Sequence, residues 1–353
     1  MQGGRGSFPY DHAVVHLRIV APNAECHHVV ELLEATESVF NIVHLPGVAT
    51  KPNGDLVMCD VPSRDVSLLV ADLRELNVDV DGSISIDHVD AEISGIATEH
   101  HRRRARDIGA DPVVWENVSS RTSENVELSH SYLIFMSLAM LIASVGICFN
   151  EPILIVAAMV VGPDFGPIAG VCVALVNRNR SLVRRSGRAL VVGFAVGIVA
   201  TYVSTVILKA VGQLPEQLNF QAHALVDFIS EPNFFSVYVA IAAGIIGMLS
   251  LTTAKSSVLI GVLISVTTIP AAANIGVAAA YLDWETARGA GLQLILNIAS
   301  ILISGLLTLL LQRRIYMKRR RDHLNDESRV PAGLPLGASR RATADRDEEP
   351  KAR

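Results

Sequence analysis

Apolar and polar positions divide the chain into three stretches. Up to about residue 130 apolar residues come in short runs between polar ones, from 131 to 312 they are nearly continuous, and from 313 the chain is charged. In the first stretch Ala13 to Val20 reads as a strand. Glu25 to Glu37 carries Val29, Val30, Leu32 and Leu33 at helical spacing. Val39 to Leu45 is a second strand closed by Pro46-Gly47, and Asn53-Gly54 marks a turn before Asp55 to Val61. Pro62-Ser63 starts a helix with Val66, Leu69, Val70 and Leu73 on one face. Gly82 to Val89 alternates as a last strand. The order β-α-β-β-α-β predicts a small ferredoxin-like α+β domain over residues 11–94, behind a disordered tail at 1–10.

The apolar stretch predicts a membrane bundle, since a span needs about 20 apolar residues. Six candidates are read: Tyr132 to Phe149, Ile153 to Val176, Ala189 to Val211, Phe234 to Thr253, Ser257 to Leu282 and Gly289 to Leu311. Their connections alternate in charge. Asn177 to Arg188 holds five arginines and the last span ends in a basic run, whereas Val211 to Asn233 has no Lys or Arg. Excess Lys and Arg mark the cytoplasmic side, so both termini are expected there. Residues 95–130 form a basic linker, His100 to Arg106, and an interfacial helix with Trp115 at headgroup depth. Residues 313–353 read as a charged, disordered cytoplasmic tail whose first arginines anchor it to the inner leaflet.

Two of these spans are interrupted. Val156 to Val176 is broken by Gly162-Pro163-Asp164-Phe165-Gly166-Pro167, and each proline removes a backbone donor and clashes with the carbonyl four residues back. Laid on Pro270, the fifth candidate repeats this: about ten apolar residues, a break, then a half rich in small residues. Spans one to three and four to six are therefore read as equivalent units. Three being odd, the second unit enters from the opposite face, an inverted 3+3 repeat with two broken helices.

The segments AAMVVGPDFGPIAG, VLIGVLISVTTIPAAANIG and DWETARGAGLQLILNI resemble the domain of unknown function 389 family of bacterial membrane proteins, over roughly Leu128 to Leu311. The resemblance implies the membrane architecture, in the inner (plasma) membrane of a bacterial cell, with a small cytoplasmic domain ahead of it, and no activity. The chain departs from the family's usual pattern at Asp164, where relatives usually carry an uncharged residue.

If the breaks meet at mid-membrane, a polar site would be lined by Asp164, Thr267, Thr268 and Asn274, with Gln293 and Asn297 from the last span and freed backbone amides about Gly162 and Gly166. Asp164 is the one acid inside an apolar span, an expensive placement read as an ion, proton or polar-solute contact. The bland alternatives are a carboxylate capping a half-helix, hydroxyls bonded to their own preceding turn, and interhelical bonds from the asparagines. Gly166-x-x-x-Gly170 and Gly193-x-x-x-Gly197 have the spacing of close helix packing, and Leu218 to Ile229 that of an amphipathic helix lying flat.

Other chemistry is set aside. Fifteen acidic residues against five basic ones up to Glu92 argue against a nucleic-acid partner. The four cysteines are scattered, with neither disulfide nor zinc spacing. Cys26-His27-His28, with His12, His16 and His44 nearby, invites a metal reading, but adjacent helical residues diverge, so these histidines are taken as surface residues and no metal or cofactor is expected. No paired carboxylates or nucleophile–base spacing points to an enzyme. The expected function is a secondary transporter of a small polar or ionic solute, homo-oligomeric in the lipid bilayer, with a cytoplasmic domain that could regulate it. An ion channel and a membrane-anchored effector sensor or scaffold are the competing readings.

Overall fold

The computed structural model describes residues 14–89, 128–215, 234–253 and 267–340. The tail at 1–10, the basic linker with Trp115, the flat helix at 218–229 and the first half of the fifth predicted span lie outside these residues, as does His12. The chain divides into two units, Met1–Val114 with Arg314–Arg353, and Trp115–Arg313.

The first unit is a four-stranded antiparallel sheet. β1 (Val14–Ala21), α1 (Cys26–Ala35), β2 (Phe40–Thr50), β3 (Asn53–Pro62), α2 (Ser63–Glu75), the short α3 (Val78–Asp81) and β4 (Ser83–Val89) give the spatial order β2-β3-β1-β4. This is the split β-α-β arrangement anticipated from the pattern. Alternation explains the core. Val15, Leu17 and Ile19 of β1 lie in register with Val61, Cys59 and Val57 of β3, and all six are buried against Val29, Leu32, Leu33, Val66, Leu69 and Leu73 of the two helices.

Two local expectations are corrected. β2 does not stop at Pro46-Gly47 but runs to Thr50, because a bulge between Leu45 and Ala49, with Gly47 at φ +65°, absorbs the irregularity. The hairpin loop is Lys51-Pro52, joined by a cis peptide, between the paired residues Thr50 and Asn53, so Asn53-Gly54 begins β3 instead of making the turn. Gly54 is needed for another reason. A Cβ there would sit 2.2 Å from the carbonyl oxygen of Ala21.

The second unit is helical: α4 (His130–Cys148), α5 (Pro152–Val161), α6 (Phe165–Val176), α7 (Arg180–Ala210), α8 (Phe234–Thr252), α9 (Thr268–Ala280) and α10 (Trp284–His323). Among the described residues α4, α7, α8 and α10 are each long and apolar enough to cross a membrane. α5 and α6, bent by 46° at the break, make up to a fifth span, and α9 is a shorter apolar helix. Large apolar side chains stand outward on these helices, among them Val191, Val199, Ile295, Ile303 and Leu307. Soluble monomers rarely expose so much contiguous apolar surface, and lipid is the solvent that tolerates it. The chain is a membrane protein. The GxxxG spacing on α7 is packing: a Cβ on Gly193 would meet the Tyr132 hydroxyl at 2.5 Å, and one on Gly197 the Met140 sulfur at 2.2 Å.

The largest correction concerns the tail. Residues 314–340 are not disordered. The last turns of α10 and a 3-10 turn (Glu327–Arg329) belong to the first unit, where Ala332 and Leu334 complete its hydrophobic core.

Candidate functional site

Proline chemistry places the break. α5 ends where Gly162 leaves helical geometry, and α6 starts at Phe165 with Asp164 at its N-cap. Pro167 is the third residue of α6 and Pro270 the third of α9, inside first turns whose amides have no intrahelical acceptor. In a continuous helix each ring would strike the carbonyl four residues back, so each helix begins just ahead of its proline.

The break between α5 and α6 meets the start of α9. A Cβ on Gly162 would lie 2.7 Å from the Cγ1 of Ile269, so the extended backbone at the first break runs against the first turn of α9. There the Thr268 hydroxyl donates to the Asp164 carboxylate. A second polar chain runs alongside. The Asn297 amide donates to the Thr267 hydroxyl at 2.9 Å, and the Gln293 amide reaches the Asn297 carbonyl at 3.5 Å. Gln293 and Asn297, four residues apart, share one face of α10. Asn274 is fully buried on α9 and lies seven residues on from Thr267, hence on the same face about 10 Å further along.

Six of the eight anticipated residues therefore form two hydrogen-bonded groups or frame them: Gly162, Asp164 and Thr268, then Thr267, Asn297 and Gln293. Asn274 stands two turns beyond them on α9, and Gly166 follows Asp164 in the first turn of α6, half-buried. Asp164 is only 5% exposed, and among the described residues no basic side chain pairs with it. The Oε1 of Gln293 is buried with no hydrogen-bond partner among the described residues. A buried carboxylate and a buried, unengaged carbonyl oxygen are acceptors, and acceptors recruit a proton, a cation or a hydrogen-bond donor. Sequence reading missed Thr201 of α7, also fully buried, whose Cγ2 would lie 3.0 Å from a Cβ on Gly276. Thr201 and Thr205, two hydroxyls in a long apolar helix, give no signal of their own.

The first unit holds a second polar cluster that the sequence did not reveal. Asp72 and Glu75 of α2 are almost wholly buried, and so is Arg329. Arg329 pairs with Asp72 and, at 2.9 Å, with Glu75. Arg320 bonds the same two carboxylates at 2.6 and 2.7 Å, and His323 reaches Asp72 at 2.7 Å. Burial pushes Asp72 upward, but the bond from His323 and the charges of Arg320, His323 and Arg329 outweigh it and hold the carboxyl below its ordinary value. Arg319 adds a bond to Asp65 at 3.1 Å. Arg319, Arg320 and Arg329 thus hold the carboxylates of α2.

Residues 159–303 match the family model described as Domain of unknown function (DUF389), a stretch that encloses the break at Gly162 to Pro167 and all eight anticipated positions. An uncharacterized protein of Methanocaldococcus jannaschii is 26% identical over 167 residues, 46% of this chain and 48% of the relative. The chain therefore spans about half the length of the curated relative it matches. That relative is archaeal, so the resemblance extends beyond bacteria. No solved structure matches the chain.

Proposed function

Since the chain belongs to the domain of unknown function 389 family, we propose that it is a secondary transporter of a small polar or ionic solute, built as six spans in two inverted units of three. Both termini then lie in the cytoplasm, and the sheet domain regulates the carrier. The observation that carries this reading is the meeting of the break at Asp164 with the first turn of α9 at Thr268 inside an apolar bundle. Backbone that is not helical at membrane depth is tolerated where it is buried in protein or lines a cavity, and carriers use such breaks to present polar groups at mid-membrane. The matching place of Pro167 and Pro270, each third in its helix, supports an internal repeat.

Asp164 gives the coupling chemistry. With no basic partner among the described residues, its charge must be met by a proton or a cation, and the opening of either face would exchange that ion. Gln293 and Asn297 supply amide groups suited to a neutral polar or zwitterionic solute. The site is closed to solvent in this conformation, as an occluded intermediate of alternating access would be.

Purified protein in proteoliposomes, challenged with a panel of amino acids, small carboxylates and monovalent cations under an imposed proton or sodium gradient, tests the reading. Saturable, gradient-driven uptake is expected for at least one solute class. Asp164→Asn should lose the gradient dependence, because the amide keeps an acceptor for Thr268 but cannot take up an ion by charge. Non-saturating conductance would make the protein a channel. Uptake that is equally gradient-driven in the Asn variant would remove Asp164 from the mechanism.

A further inference from the structure

Three side chains far apart in the sequence converge at one end of the four-stranded sheet. Cys26 opens α1, His44 stands on β2, and Asp55 lies near the start of β3. Register explains why they meet. His44 pairs across the strands with Val57, a core residue, so both project on the face covered by the helices. Asp55, two residues before Val57, projects on that face as well. The Sγ of Cys26 lies 3.4 Å from the Nε2 of His44, which lies 2.9 Å from the Asp55 carboxylate, and all three donor atoms fall within 4.8 Å of one another.

The strands are shaped to hold this arrangement. The bulge between Leu45 and Ala49 turns Gly47, at φ +65°, so that its amide donates to the second Asp55 oxygen at 2.8 Å. That bond fixes the carboxylate with its other oxygen toward His44, the kind of outer support that metal-ligating carboxylates receive. Bulges commonly re-aim groups in this way beside functional sites. Around a tetrahedral zinc ion, with a Zn–S bond of about 2.3 Å and Zn–N and Zn–O bonds of about 2.0–2.2 Å, donor atoms stand about 3.4–3.6 Å apart. The Cys26–His44 pair would open by about 0.2 Å and the His44–Asp55 pair by about 0.5 Å to take such an ion.

We propose that Cys26, His44 and Asp55 form a binding site for a thiophilic divalent transition-metal ion of the zinc class. A sulfur, an imidazole and a carboxylate together favour zinc-like ions over magnesium or calcium, which prefer oxygen. Three protein donors leave a fourth position, and the exposure of His44 opens it to water or to an exchanging ligand. The metal-free state is held by hydrogen bonds instead. Burial and the neighbouring Asp55 push the Cys26 thiol up to about 12. Bonds from Cys26, the Gly47 amide and His44 bring Asp55 down to about 2. An ion entering the site would displace the thiol proton. The other histidines do not join. His27 and His28 lean on Glu31, at 3.1 and 3.8 Å, and His16 pairs with Asp60 at 2.7 Å.

The test uses the full chain in detergent, without a histidine tag, stripped by a chelator and titrated with Co2+ and then Zn2+. One equivalent of Co2+ should give a thiolate-to-cobalt charge-transfer band with tetrahedral visible absorption, and Zn2+ should displace it. Cys26→Ser should abolish the charge-transfer band. His44→Gln, at an exposed position that spares the fold, should weaken Co2+ binding by at least about 100-fold, more than the loss of an outer-shell partner costs. No charge-transfer band in the parent, or a His44→Gln variant that binds Co2+ as the parent does, would overturn the site.

Discussion

Arg329→Met isolates the docking of the C-terminal segment. The guanidinium is 0% exposed and pairs with Asp72 and Glu75, which are themselves 1% and 4% exposed. Methionine fills much of the volume without a charge, so the change reads the ion pairs more than a cavity. Removing one partner of a buried pair costs about 3–5 kcal/mol, because the remaining charge is left unpaired. Here Arg320 and His323 stay on the same carboxylates, and the Nε of Arg329 has no acceptor among the described residues. Both points favour the lower end, about 3 kcal/mol, which is roughly a 100-fold change in a local opening equilibrium. Hydrogen exchange on the full chain, followed by mass spectrometry, resolves that opening. Amides of Leu334 and Gly337, which bond Arg329 and Leu324 carbonyls, should exchange about 100-fold faster. Amides inside α4 and α7 should not change. Arg321→Met, at an exposed site, is the control and should exchange as the parent does. If Arg329→Met matched that control, the buried pairs would contribute nothing to docking and the ordering of residues 324–340 would have to come from Ala332 and Leu334 alone.

Other perturbations probe the neighbouring contacts. Leu334→Ala, deleting a side chain from the sheet-domain core, should loosen the segment by about 2–5 kcal/mol in the same exchange experiment, without altering Co2+ absorption. Asp72 is held below its ordinary value of 3.8, so its pairing stabilises the unit fully above that value and is lost as pH falls through the lower folded value. Exchange at Leu334 should therefore stay slow at neutral pH and accelerate below about pH 4, once back-corrected for intrinsic rates, and a flat profile would count against the pairing. Gly47→Val should strain a left-handed backbone and disturb the amide on Asp55, lowering Co2+ affinity about 10–100-fold while the thiolate band persists at saturation. Gly276→Ala places a Cβ 2.8 Å from the Ile198 carbonyl oxygen, and the overpacking of about 1–3 kcal/mol should outweigh a helix-propensity gain of about 1 kcal/mol, lowering the melting temperature in detergent.

What could be read in advance depended on contrast with the local background. The β-α-β-β-α-β order was legible because Val15, Leu17 and Ile19 alternate, and Val66, Leu69, Val70 and Leu73 repeat at helical spacing. The break at Gly162 to Pro167 was legible because prolines and a carboxylate stand out in an apolar span. For the same reason Asp164, Thr268 and Asn297 could be named together from the sequence. The tail was misread because its charge matched the composition of disorder. Arg329 and Asp72 are 257 positions apart, and a charged residue among charged residues carries no sign that its partner is buried. Cys26, His44 and Asp55 were obscured by a nearer pattern, Cys26-His27-His28, whose members point in different directions on α1.

The metal ligands required three things that no spacing rule encodes: the register of β2 on β3, a bulge at Gly47, and the start of α1 at Cys26. Each of the three is a backbone event, and a one-residue slip of β2 would carry His44 to the opposite face of the sheet. The same dependence makes the site a sensitive reporter. If metal binding survives in a variant whose β2–β3 register has been shifted by inserting one residue into the Lys51-Pro52 loop, the ligands cannot be the three that this register brings together.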